Sequence, residues 1–316
     1  MKCQSRRTFI KNTAMAVGIV PLSTTSFTNF FDHHSADKLH VSIFSKHLQF
    51  LDYQEMAKAA ADIGFDGVDL TVRPKGHVLP ENVEQDLPRA IDAIGDAGFE
   101  PLMMTTAVDD AMDPVDQTLL QTAAQLGIKY YRMNWFRYPP DVTIPEALTG
   151  FQKRVKALGD LNSDLGLVGC YQNHAGTLVG ASMYELYDII KQSLRQSMGI
   201  QYDIRHAVVE GGKSWETGLR LVQQRIKTIA LKDFRWEKKD GVWDAINVPI
   251  GEGMVDFKKY FGLLKKYQIN VPVSLHFEYP LGDAEHGARE ISMAPKEIYS
   301  AMNRDLEYVH KIYAEA

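Results

Sequence analysis

From Leu39 onward, short runs of apolar and β-branched residues alternate with longer segments whose apolar positions recur at helical spacing. The short runs predict strands over Leu39–Phe44, Val68–Val72, Pro101–Thr105, Tyr130–Trp135, Leu167–Gln172, Ile200–Ile204, Ile226–Lys232 and Val271–Glu278. The segments between and after them predict helices over Tyr53–Ile63, Pro88–Ala97 and Pro114–Leu126, then a long one ending at Leu165. Four more follow over Ser182–Ser197, Lys213–Gln224, Asp256–Tyr267 and Pro295–Tyr313. Gly64, Gly98, Gly127, Gly166 and Gly199 stand where a helix gives way to the next apolar run, the place of a left-handed C-terminal cap.

Eight strand–helix units in succession favour parallel pairing through right-handed crossovers. Their span of about 275 residues suits an α/β chain closed into a (β/α)8 TIM barrel, for which about 250 is typical. The rival architecture, a doubly wound open sheet, calls for a glycine-rich phosphate turn after the first strand, and Ser45-Lys46-His47 supplies none. No linker or composition break divides residues 38–316, so a single barrel domain is expected there. Apolar residues make up 45% of the chain and charged residues 24%, too apolar a mixture for disorder. A net charge of -5 argues against a dedicated nucleic-acid binder, which carries a basic face.

Residues 1–37 read as a leader and not as fold. Ser5-Arg6-Arg7-Thr8-Phe9-Ile10-Lys11 is a twin-arginine pattern, and an apolar stretch from Ala14 to Leu22 and a Ser/Thr-rich region follow it. The expectation is export through the twin-arginine route to the periplasm or beyond. No later apolar run approaches 18 residues, so the mature chain is expected to have no membrane span. Of the two cysteines, Cys3 lies in the leader, which leaves Cys170 unpaired and most simply buried.

In such a barrel, chemistry sits at the C-terminal ends of the strands. Those ends carry Arg73, Lys75 and His77 after strand two, and Trp135 and Arg137 after strand four. Gln172 and His174 end strand five, Asp203 and His206 strand six, Lys232 strand seven, and His276 and Glu278 strand eight. Two-residue alternation puts His276 and Glu278 on one face, and Ala230 with Lys232 on another. Asp203, His276 and Glu278 converging from neighbouring strands would suit a divalent ion such as Mn, Zn or Co.

Several segments make the chain resemble the xylose isomerase-like barrels of the sugar phosphate isomerase/epimerase superfamily, over nearly everything after the leader. They are Gly64-Phe65-Asp66-Gly67-Val68-Asp69-Leu70, Gln172-Asn173-His174-Ala175-Gly176, Asp203-Ile204-Arg205-His206, Leu231-Lys232-Asp233, and Pro249-Ile250-Gly251-Glu252-Gly253-Met254-Val255-Asp256-Phe257. The resemblance implies a divalent metal (Mn, Zn, Co or Mg) held by Glu, Asp, His and Glu from strands five to eight. In this chain the first position holds Gln172, the second keeps Asp203, the third holds Ala230, and the fourth holds His276 with Glu278 one pleat on. The metal set is therefore Gln172, Asp203, His276 and Glu278, or else the metal is lost and the Lys232 ammonium polarises a carbonyl in its place. Lys232 could equally form a rim ion pair with Asp233. The Gly251-Glu252-Gly253 turn is expected to be structural.

The resemblance implies an enzyme acting on a sugar or keto-sugar derivative by removing a proton next to a carbonyl, with isomerisation, epimerisation or elimination as outcomes. Such chemistry needs a base at the C–H and a cation or donors at the oxyanion. Glu278 or Asp203 is the expected base, and Lys232 or a metal the oxyanion partner. Arg73, His77, Trp135, Arg137, His174 and His206 are the expected substrate contacts. The alternative is a non-catalytic sugar-binding barrel with a degenerate metal site, in which Trp135, Trp215, Trp236 or Trp243 stacks on the ring. A DNA-repair endonuclease of the same fold would need a metal cluster and a basic groove, and the charge and the missing histidine oppose it. The expected partner is a small-molecule sugar, without nucleic acid, and homo-oligomers are common among such barrels.

Overall fold

The structure, a computed structural model, describes residues 38–316; the expected twin-arginine leader lies outside the described residues. Eight short parallel strands close into a ring: β1 (Val41–Phe44), β2 (Gly67–Val72), β3 (Met103–Thr106), β4 (Tyr130–Arg132), β5 (Val168–Gln172), β6 (Met198–Asp203), β7 (Ile226–Leu231) and β10 (Val273–Leu275). The last returns to the first in the register Val41 to Val273. The ring is jacketed by α1 (Tyr53–Ile63), α2 (Val83–Asp96), α3 (Pro114–Gln125), α4 (Ile144–Leu165), α5 (Met183–Ile190), α6 (Ile204–Gly211), α7 (Trp215–Val222), α8 (Phe257–Lys266) and α9 (Pro295–Ala314). The sequence expectation of a (β/α)8 barrel is met.

The local reasons are visible at the joints. Asp52 and Glu55 form a capping box that starts α1, and Gly64, left-handed at φ 106°, ends it by donating to the Ala60 and Ala61 carbonyls. The outward strand faces carry Val41, Ile43, Leu70, Tyr131, Ile229 and Leu275, which join the inward stripes of the helices in one apolar cluster. The interior of the ring differs from the branched aliphatic filling usual in such barrels. Ser42, Asp69, Thr105, Gln201, Asp203, Thr228 and Ser274 are all buried, and Ser42, Ser274, Ala230 and Asp203 lie in one register across four strands.

Four expectations of the sequence are corrected. Helix α2 begins at Val83 and carries Pro88 inside it, because the buried stripe Val83, Leu87, Ala90 and Ile94 outweighs one lost hydrogen bond on a partly exposed turn. The helix expected to reach Ser197 ends at Ile190, where the Arg225 guanidinium takes the Lys191 and Ser193 carbonyls at 3.0 and 2.8 Å. The helix expected over Lys213–Gln224 is α7, and an unexpected helix, α6, precedes it, starting directly after its cap Asp203. Strand β4 ends at Arg132, well before Trp135.

An antiparallel hairpin, β8 (Asp233–Lys239) and β9 (Val242–Val248), rises after β7 and has no counterpart in the expected element order. Asp240 and Gly241 both have positive φ at its tip, as a type I′ turn requires.

Candidate active site

The ends of β6, β7 and β10 bring three side chains around one ammonium. Lys232, the residue after β7, places Nζ 3.1 Å from Asp203 Oδ2, 3.4 Å from Glu278 Oε2 and 2.8 Å from His206 Nε2. An ammonium has three donors, and here each has a partner. Asp203 is fully buried and is fixed from every side. It caps α6 by accepting the His206 N–H at 3.1 Å, and the Gln172 amide donates to it at 2.8 Å. Burial alone would raise its carboxyl, but His206 and Lys232 beside it bring it down to about 2. Glu278 also meets Lys46 at 3.5 Å. Burial opposes its ionisation, yet Lys232, His276 and Lys46 hold it well below the usual carboxylate range. Its side chain keeps 26% of its surface exposed against 0% for Asp203 and 4% for Lys232, so Glu278 is the member of this group that meets solvent.

His276 is tied into the barrel floor. Its Nε2 lies 3.1 Å from Ser274 Oγ, which donates at 2.6 Å to the buried Asp69, and Thr105 donates to the same carboxylate at 3.1 Å. Phe44 stacks on the imidazole at 4.2 Å. Burial pushes His276 down to about 4 and Asp69 up to about 6. Among the described residues His276 Nδ1 has no hydrogen-bond partner, and it faces Glu278 Oε1 at 3.8 Å. A row of rings continues the mouth: His206 packs on His174 at 4.0 Å, His174 on Trp135 at 4.9 Å, and the Trp135 ring receives the Arg132 guanidinium at 4.1 Å. Burial keeps His174 and His206 below the ordinary histidine value, so both are neutral near pH 7.

Sequence reasoning brought together Gln172, His174, Asp203, His206, Lys232, His276 and Glu278, and these do meet. His77 does not reach the mouth. Its ring nitrogens lie against Ser45, Thr71 and the Leu48 carbonyl, where it braces the loop after β1. Arg137 is exposed beyond the end of β4, bridged through its backbone to Leu178. Trp215 is buried against Tyr260, and Trp236 and Trp243 are exposed on the hairpin. Asp233 turns away from Lys232 and accepts the N–H groups of Gly251, Gly253 and Val255 at 3.0–3.1 Å. A Cβ on Gly253 would collide with that carboxylate, so the Gly251-Glu252-Gly253 turn is structural. Cys170 is buried and forms no disulfide among the described residues.

Four residues went unnoticed in the sequence. Lys46 follows β1, a strand end to which the sequence assigned no chemistry. Asp69 and Arg132 are charged residues inside apolar strands, a signal in themselves, and Ser274 is a small polar residue on an inward position.

The residues do not fit the expected metal. Among the described residues no group of three or more His, Cys, Asp and Glu is disposed to hold an ion. The physical reason lies in the donors. The Lys232 ammonium stands where Asp203, His206 and Glu278 converge. The Gln172 amide presents its nitrogen to Asp203 and its oxygen to Arg132 at 3.4 Å, and His276 commits Nε2 to Ser274. Of the set Gln172, Asp203, His276 and Glu278, the two carboxylates are therefore paired with a lysine, and Gln172 and His276 are committed to hydrogen bonds around them.

Solved structures similar to this chain share the fold. One is a xylose isomerase-like TIM barrel protein from Mycobacterium smegmatis in complex with magnesium, with TM-score 0.64 and 13% identity over 89% of this chain and 99% of that one. Another is 3-keto-D-glucoside 4-epimerase from E. coli, with TM-score 0.61 and 14% identity over 87% and 100%. A third is D-allulose 3-epimerase from Methylomonas sp., with TM-score 0.63 and 15% identity over 87% and 98%. No curated protein matches the chain. The model of the xylose isomerase-like TIM barrel family matches residues 57–294, and the chain belongs to that family.

Proposed function

We propose that this protein is a sugar-directed enzyme that removes a proton next to a carbonyl without a resident metal. In this reading Glu278 is the base and Lys232 the cation at the developing oxyanion. The observation that carries it is the Lys232 ammonium, held 3.1–3.4 Å from two carboxylates at the point where three strand ends converge. A cation there can polarise a substrate carbonyl oxygen, and a preformed donor at the oxyanion is worth about 10²–10³ in rate.

In the free protein Glu278 is a weak base because Lys232 and Lys46 hold it ionised. When the Lys232 hydrogen turns from Glu278 to a substrate oxygen, the carboxylate loses its closest cation and its basicity rises. Asp203, sealed beneath, keeps Lys232 in place and acts as a positioning residue. His174, His206 and Trp135 border the mouth where hydroxyls and a ring face would lie. Gln172 cannot serve as a base near pH 7. With one reachable carboxylate, chemistry on a single face of the substrate, isomerisation or elimination, is favoured over two-base epimerisation. Structural neighbours that are sugar epimerases support the substrate class. The twin-arginine pattern supports action outside the cytoplasm.

The test is α-proton exchange. Keto sugars and keto glycosides incubated with the protein in D2O are expected to take up deuterium at the carbon beside the carbonyl, and Glu278→Gln is expected to slow this by about 10²–10⁴. Exchange no faster than buffer across the panel, with sugar binding retained in calorimetry, would make the protein a sugar-binding barrel instead.

A further inference from the structure

Beside the Lys232 group, on the β2 and β4 side of the mouth, lies a cleft of about 410 Å³ lined by Arg73, Arg132, Trp135, Asn134 and Lys75 among others. Its two guanidiniums differ from every carboxylate at the mouth. Asp203 and Glu278 are ion-paired, and Asp69 accepts from Ser274 and Thr105. Arg73 stacks over Phe44 at 5.5 Å, and its guanidinium has no hydrogen bond or ion pair among the described residues. Arg132 is 4% exposed. Its NH1 and NH2 make long contacts of 3.4 and 3.3 Å to the Gln172 amide and the Thr106 carbonyl, and its buried Nε has no partner. No carboxylate lies within ion-pair distance of either arginine among the described residues.

A buried guanidinium without a counter-ion is costly, and a chain of net charge -5 has acidic residues in excess that could have paired it. We infer that the cleft is an oxyanion subsite, and that the sugar taken at the mouth carries a carboxylate or a phosphate ester seated between Arg73 and Arg132. Guanidinium is suited to this, because its planar fork meets such an anion through two parallel hydrogen bonds. Trp135, whose face already carries Arg132, would close one wall of the subsite.

The inference rests on the reading of the mouth as a sugar site, and its test separates the two. Calorimetry on the purified protein would compare D-glucose, D-glucuronate and D-glucose 6-phosphate. At least one anion is expected to bind about tenfold or more tightly than glucose, with the preference weakening as salt rises. Glucuronate alone would identify a carboxylate, and the 6-phosphate alone a phosphate ester. Arg73→Gln, at a half-exposed loop position, is expected to remove the preference while leaving the fold intact. Arg132→Gln is a second arm, checked for folding by circular dichroism. Equal affinity for all three sugars, no binding of any, or an anion preference untouched by Arg73→Gln would overturn the subsite. Deuterium exchange on neutral keto sugars without anion preference would leave the proposed chemistry standing and remove this inference. Anion preference without exchange would do the reverse.

Discussion

Lys232 Nζ and Asp203 Oδ2 lie 3.1 Å apart with neither side chain more than 4% exposed, while the second carboxylate on the same ammonium, Glu278, opens to solvent. One lysine thus has a permanent anchor on one side and an exchangeable partner on the other. Lys232→Met keeps the volume and removes the charge, so it is expected to lower the α-proton exchange rate by about 10²–10³. KM should change less than kcat, because the ammonium acts on charge that develops during the reaction. Exchange kinetics in D2O give both parameters. A variant with unaltered kcat would remove Lys232 from the chemistry.

The same pair has a separate signature in stability. Removing one partner of a buried ion pair typically costs about 3–5 kcal/mol, because the other charge stays buried alone. Lys232→Met is therefore expected to destabilise strongly, and Lys232→Met with Asp203→Asn less than the sum of the two single changes. Urea unfolding of all four proteins measures the coupling. Strict additivity would mean that the two groups do not interact in solution.

The place of the ammonium also bears on the divalent metal expected from the sequence. Chelator treatment is expected to leave α-proton exchange unchanged, and the unaltered protein to take up no stoichiometric Mn2+ or Zn2+. Lys232→Ala removes the cation from between Asp203, His206 and Glu278, three groups whose chemistry suits a divalent ion. That variant is expected to gain metal binding in calorimetry. One equivalent of tightly held metal in the unaltered protein, or none in Lys232→Ala, would show that lysine does not stand in for the ion.

The barrel, its strand order and most of the mouth were legible in the sequence because they follow from periodicity. Eight apolar runs and the left-handed glycines after the first four helices, Gly64, Gly98, Gly127 and Gly166, set the ring, whereas Gly199, expected as a fifth cap, lies inside β6. The strand-end rule then gathers Asp203, Lys232, His276 and Glu278 at one end. The partner of each was not legible. Nothing in the residue types says that Lys232 turns to Asp203 and not to its neighbour Asp233, a choice made by the Gly251 and Gly253 amides that claim Asp233. His77 was misplaced because a histidine after a strand end looks the same whether it faces the mouth or braces a loop. Arg132 and Asp69 were passed over because they sit within apolar strands, and their inward direction depends on the register. The β8–β9 hairpin was missed although Asp240-Gly241 between alternating residues is a strong turn signal.

Asp69 offers a test of the polar barrel interior that needs no substrate. Burial raises its carboxyl from 3.8 to about 6, despite hydrogen bonds from Ser274 and Thr105. The folded form therefore holds a proton that the unfolded chain releases more readily. This contribution to stability is fully present below about pH 4 and is lost as pH rises through about 6. The gap corresponds to about 3 kcal/mol. Asp203 has the opposite sign, since its carboxyl is lowered to about 2, and its contribution is lost only as pH falls below about 4. Asp69→Asn removes the first titration and leaves the second. Relative to the unaltered protein it should therefore be more favourable at pH 7 than at pH 4 by about 3 kcal/mol, whatever constant penalty the amide adds. Chemical denaturation at the two pH values reads this difference directly. The same stability gap at both would mean that Asp69 ionises in the folded protein as easily as in the unfolded chain, and that the barrel floor is wetter than its burial implies.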